Sequence, residues 1–233
     1  MTLQEAIIAR HSVRQYIETP IEAEKVQQLQ ALIDECNREG GLHIQLVTEE
    51  PEAFAAGIAK YSKFRGVRNY IAMICKKGDD LKLGYSGEKG ILLAQTLGLN
   101  TCWVGLSFRK QPDQYTVGND ETLVCVVSLG YGATQGVQHP QKRTVADVTD
   151  DQRTADHGKP FPEWFVRGTE AALLAPTAVN QQKFVFILHD DNRVEAKPKF
   201  SLIGYAKLDL GIAKCHFEIG AGEGSFEWAI EKH

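Results

Sequence analysis

No stretch of this 233-residue chain approaches the roughly 20 consecutive apolar residues that a helix needs to cross a bilayer. The first residues are a charged amphipathic segment without a signal-peptide core, so a cytoplasmic protein with no membrane partner is expected. A net charge of -4 leaves no broad basic field to gather a nucleic-acid backbone, which disfavours nucleic acid as a partner. Metal-ligand spacings are missing too. The histidines form no H-E-x-x-H and the cysteines no C-x-x-C, so no metal site is expected. Cys36, Cys75, Cys102, Cys125 and Cys215 are odd in number and lie in apolar contexts, as reduced core thiols would. Neither G-x-G-x-x-G nor G-x-x-x-x-G-K-[ST] occurs, which argues against a Rossmann dinucleotide site and a P-loop.

Hydrophobic residues make up 43% of the chain and charged residues 24%, a globular balance at a length that buries a full core. Thr2 with Glu5 three positions on makes a capping box for a short helix through Arg10. After Pro20, Val26, Leu29, Leu32, Ile33 and Cys36 share one helical stripe that Gly40-Gly41 stops. Residues 42–48 alternate as a half-buried strand, 51–60 read as helix, and 70–75 form an apolar run suited to a buried strand. An apolar helix over 87–97, closed by Gly98, leads into a strand-like stretch at 100–106; another strand at 123–129 ends at Gly130-Tyr131-Gly132. A polar connection over 150–162 divides the chain into 1–150 and 151–233. Beyond it, a helix over 163–174, a loop after Pro176, a strand over 184–188 and an apolar helix over 208–217 are expected.

The stretch with the most chemistry is Arg10-His11-Ser12-Val13-Arg14. In extended backbone residues 10, 12 and 14 share a face, placing two permanently charged planar donors and a hydroxyl side by side, an anion-binding layout. Lys63-Phe64-Arg65-Gly66-Val67-Arg68 and Lys142-Arg143 are further basic segments, whose plain reading is solvated surface.

Four segments together resemble the FMN-dependent nitroreductase family. Arg10 to Arg14 looks like its phosphate motif, and Ala175-Pro176-Thr177-Ala178-Val179-Asn180-Gln181-Gln182 resembles its A-P-S-A-x-N-x-Q loop. Residues 97–105 resemble its G-L-G-T-x-W-x-G segment, and Leu129-Gly130-Tyr131 with Lys142-Arg143 resembles its L-G-Y and basic ending. Thr177 and Lys183 depart from the usual Ser and Pro. The loop follows the basic ending here, whereas in the family it lies soon after the arginine motif. Residues 163–188 parallel 22–48, and Glu88-Lys89-Gly90-Ile91 parallels Asp209-Leu210-Gly211-Ile212, as in two degenerate copies of a half-size unit.

The resemblance implies an α+β fold with a mixed or antiparallel sheet flanked by helices, its two fused halves imitating the family homodimer in a monomer with one FMN. Arg10, His11, Ser12, Arg14, Lys142 and Arg143 would then serve the FMN phosphate. Pro176, Thr177, Ala178, Asn180 and Gln182 would meet the pyrimidine edge, and Val104, Gly105 and Leu106 the ring. Chemistry would reside in FMN, with no protein catalytic residue, cycling between NADH or NADPH and a nitroaromatic, quinone or related acceptor. The alternatives are a non-enzymatic flavin-binding or flavin-sensing protein and a degenerate member without flavin.

Overall fold

The first helix forms where the capping box places it: α1 (Leu3–Ala9) starts at Thr2, whose hydroxyl accepts the Glu5 amide at 3.2 Å while the Glu5 carboxylate accepts the Thr2 amide at 2.8 Å. The structure is a computed structural model and describes residues 1–55, 64–140 and 142–229. It divides into two units, Met1–Gln138 and His139–His233. The division lies N-terminal to the expected boundary at 150/151, so Lys142 and Arg143 belong to the second unit.

In the first unit, α2 (Ala23–Gly40) buries Leu29, Ile33 and Cys36 and stops at Gly41, whose φ of 63° is free of the Cβ clash other residues meet there. A four-stranded antiparallel sheet follows in the order β1-β2-β4-β3, from β1 (Gln45–Val47), β2 (Asn69–Lys76), β3 (Asn100–Val104) and β4 (Glu121–Gly130). Helix α3 (Asp80–Thr96) begins earlier than the apolar stripe indicates, its first turns carrying Gly84 and Gly87 as buried positions. Close packing there overrides the low helix propensity of glycine. Of the helix expected over 51–60, Glu52–Phe54 form a 3-10 turn, and 56–60, like Lys63 of the basic segment, lie outside the described residues.

The second unit opens with β5 (Thr149–Asp151), a strand where a bare connection was expected; its pairing partner, not its polar side chains, makes it one. Helix α4 (Glu163–Leu173) precedes β6 (Phe184–Leu188) and β7 (Arg193–Pro198), and α5 (Ala206–Ala221) precedes β8 (Glu227–Trp228). The sheet runs β5-β6-β7-β8, with β6 and β7 antiparallel and both edge pairs parallel. Its core is aromatic: Phe186 stacks on Phe217 at 4.5 Å and Phe165 meets Phe217 edge-on at 5.6 Å. All five cysteines are buried and none forms a disulfide. Among the described residues no helix is long and apolar enough to cross a membrane.

Candidate functional site

Past its last helical hydrogen bond, from the Arg10 amide to the Ala6 carbonyl at 2.8 Å, the first unit's chain turns extended and becomes an arm. The Val13 amide reaches the Thr101 carbonyl on β3 at 3.0 Å, and the Tyr16 amide reaches the Arg65 carbonyl at 2.9 Å. The Tyr16 hydroxyl lies 2.8 Å from the Ser128 hydroxyl on β4 and donates to the Val13 carbonyl, anchoring the arm in the core. Arg10, Ser12 and Arg14 all act on the Cys102 thiol of β3. Burial pushes that thiol up, and the two guanidinium charges and the Ser12 hydroxyl draw it back.

The two arginines stand in different surroundings. Arg14 is exposed, whereas Arg10 retains 3% of its surface, its Nε lying 3.8 Å from Glu88 Oε1 on α3. Glu88 also accepts the Trp103 indole N–H at 2.9 Å. Burial lowers the Arg10 guanidinium's proton affinity and the Glu88 charge raises it. Nε and Nη1 of Arg10 are buried without a hydrogen-bond partner among the described residues. A charged donor left so is costly, and an anion is its natural complement. His11, half-buried, is held below its ordinary value by burial and then by the Arg10 charge. On β3, Val104 is buried; past the half-exposed Gly105, Leu106 is 82% exposed.

In the second unit Pro176, buried, follows the end of α4, and the chain turns through Val179, Asn180 and Gln182 with φ of 48°, 53° and 46°. Such left-handed conformations are unfavourable for residues with a Cβ, most of all for β-branched Val179. Side chains hold them. The Gln182 amide donates to the Thr177 hydroxyl at 3.1 Å and its Nε2 to the Leu173 carbonyl at 2.8 Å, while its Oε1 is buried without a hydrogen-bond partner among the described residues. Asn180 Nδ2 donates to the Pro140 carbonyl at 3.1 Å, which brings the loop beside the segment bearing Lys142 and Arg143. Lys142 is exposed; Arg143, half-buried, assists the Thr144 amide and hydroxyl in holding the Asp147 carboxyl low.

The Ala178 amide reaches both Asp209 carboxylate oxygens at 3.1 Å, and Gln181 Nε2 donates to Asp209 Oδ2 at 2.7 Å. Asp209 sits in the first turn of α5, is 3% exposed, and is pushed up by burial to about 6. Glu88, Asp209 and Gln181 were not among the residues expected at the site. The first two carry a sequence signal, an acid inside the apolar stripe of a helix followed two positions on by Gly-Ile. Among the described residues, no group of three or more His, Cys, Asp or Glu side chains is placed to hold a metal ion.

None of the curated proteins matches the chain. Among solved structures, one described as a putative nitroreductase from Thermotoga maritima matches with a TM-score of 0.61 at 19% identity, covering 93% of this chain and 82% of its own. Another, a putative nitroreductase in complex with FMN from Desulfovibrio desulfuricans, reaches a TM-score of 0.48 at 16% identity, covering 70% of this chain and 99% of its own. At these identities the first likeness is one of fold, and it bears out the nitroreductase-like α+β architecture. The family model described as "Putative TM nitroreductase" matches residues 2–221, from the cap of α1 to the end of α5, and the chain therefore belongs to this nitroreductase family.

Proposed function

We propose that this protein is an FMN-dependent NAD(P)H oxidoreductase that reduces nitroaromatic, quinone or related small acceptors. The observation that carries the reading is Arg10, a buried guanidinium whose Nε and Nη1 have no hydrogen-bond partner among the described residues. Glu88 offsets part of its charge at 3.8 Å without saturating its donors, so the residues present fit a phosphate monoester. Arg14 extends the grip toward solvent, Ser12 is half-buried beside it, and His11, disfavoured as a cation, adds no further buried charge. Lys142 and Arg143 supply further positive charge on the second unit.

The loop of the second unit suits a heterocycle edge. Gln182 Oε1 is a buried acceptor without a donor among the described residues, and Pro176, Thr177, Ala178 and Asn180 precede it in the loop. Val104, Gly105 and Leu106 offer an apolar edge to the ring. When bound, FMN supplies two-electron chemistry between a reduced nicotinamide and the acceptor. The protein's own part is to bind, orient and exclude water, with no side chain needed as nucleophile.

The order helix, strand, strand, helix, strand occurs in each unit, as α2-β1-β2-α3-β3 and as α4-β6-β7-α5-β8, with the first two strands antiparallel neighbours both times. This supports reading the chain as two degenerate copies of one half-unit, a monomer that takes one FMN. Arg14→Ala tests the phosphate grip, because Arg14 is exposed and its loss spares the fold. The variant is expected to purify without the flavin absorbance of the parent, at an unchanged melting temperature. Undiminished absorbance in the folded variant would overturn the assignment. Anaerobic bleaching of bound flavin by NADH or NADPH tests the enzyme reading, and titration with sedimentation tests one FMN per monomer.

A further inference from the structure

Loop 177–182 spends conformational energy on three left-handed residues, and its fixed point is a carboxylate with no counter-charge. Asp209 is influenced by burial and by its bonds to Gln181 and Ala178; no charged side chain of α4, of the loop or of its own helix acts on it. An isolated buried carboxylate is unfavourable for stability alone. Its hydrogen-bond pattern explains its presence. Gln181 gives Nε2 to Asp209 at 2.7 Å and to the Gly204 carbonyl at 3.2 Å, while its Oε1 accepts the Ser201 hydroxyl. Ser201 Oγ in turn accepts the Ile203 amide at 3.2 Å. Turning the Gln181 carboxamide over would set its oxygen against the Gly204 carbonyl, so its NH2 must face Asp209. The Ala178 amide lies 3.1 Å from both oxygens, so only a group that accepts on both atoms keeps all three contacts with no donor set against that amide.

We infer that the ionised carboxylate of Asp209 is the positioning residue of loop 177–182 and, through Gln181, of turn 201–204. The geometry stands without a ligand; its consequence for cofactor capture rests on the reading of this loop as a flavin-binding segment. An asparagine at 209 keeps the shape but offers one acceptor, so it must turn its own NH2 toward either Gln181 or the Ala178 amide. Protonating the native carboxyl, which burial places at about 6, removes an acceptor in the same way.

The test is amide hydrogen exchange of the full chain, compared between the parent and Asp209→Asn. At pH 7.5 the amides of 177–182 are expected to exchange at least about tenfold faster in the variant, with no fall in melting temperature. After correction for intrinsic rates, the parent should lose the same protection as pH falls through about 6, and the variant should show no such step. Gln181→Ala should loosen 201–204 while the Ala178 amide stays protected. Equal protection in parent and Asp209→Asn overturns the inference, as does faster exchange that only tracks a global loss of stability. Flavin content is scored separately: a looser loop with unchanged flavin supports the positioning and counts against the loop's part in binding FMN.

Discussion

Each unit brings two helices together, α2 with α3 and α4 with α5, and carries a four-stranded sheet, yet the two treat glycine and buried charge in opposite ways. In the second, α4 and α5 touch through glycine: a Cβ on Gly220 would lie 2.5 Å from Ala171 Cβ and 2.8 Å from the Arg167 carbonyl oxygen. In the first, a narrow cleft is lined by Leu32, Ile33 and Cys36 of α2 and by Ser86, Gly87 and Gly90 of α3. The helix charges differ likewise. Glu88 on α3 faces the Arg10 guanidinium, whereas Asp209 on α5 faces only neutral donors. One element order thus carries a charge-compensated helix in one unit and an uncompensated one in the other, and the uncompensated carboxylate is the one that fixes a strained loop.

The comparison breaks most readily at Glu88. Glu88→Ala would leave Arg10 buried without its counter-charge and remove the Trp103 indole's acceptor, a loss of about 3–5 kcal/mol. Denaturant unfolding that shows less than about 1 kcal/mol would mean that the Arg10 charge is compensated from elsewhere. Asp209→Asn should go the other way. A carboxyl raised above its unfolded value favours folding fully below the unfolded value and loses that contribution as pH rises through about 6, so ionised Asp209 costs stability at neutral pH. The variant should therefore gain on the order of 1–3 kcal/mol on the parent at pH 8, a gain that vanishes near pH 4. Paired thermal melts at the two pH values check both the sign and its reversal.

Gly220→Ala comes next, because its Cβ would meet backbone and a helix-bound methyl, neither of which can swing aside. The expected loss is about 1–3 kcal/mol, read from the denaturant midpoint. A neutral result would show that α4 and α5 are less closely engaged than their glycines indicate.

Much of this architecture is legible from local chemistry. The Thr2 and Glu5 cap, the stop at Gly41 and the strand at Phe184–Leu188 are written in short-range signals that tertiary contacts reinforce. Strand Thr149–Asp151 is not, because three polar residues become a strand only through their pairing with β6. The start of α3 is hidden for the opposite reason, since the buried Gly84 and Gly87 depress helix propensity there and a Cβ on Gly87 would lie 2.8 Å from the Trp103 ring. At the candidate site the arginine arm and the 175–182 loop stand out as motifs. The inward turn of Arg10 and the roles of Glu88 and Asp209 do not, because each depends on a partner far away in the chain.

The smallest expected effect sharpens the comparison most, because its sign separates the two helix pairs. Gly90 is buried within α3, yet a Cβ built on it meets nothing within 4 Å. Its neighbour Gly87 would place a Cβ 2.8 Å from the Trp103 ring, so the free space is local to the cleft and not general to the helix. Gly90→Ala removes the backbone freedom of glycine from the unfolded chain and adds a methyl where there is room, so a gain of about 0.5–1 kcal/mol is expected. Gly87→Ala in the same helix should lose stability, which separates the effect of space from that of propensity. If Gly90→Ala also lost stability, α2 and α3 would be as closely engaged as α4 and α5, and the glycines of α3 would serve the same close approach as Gly220.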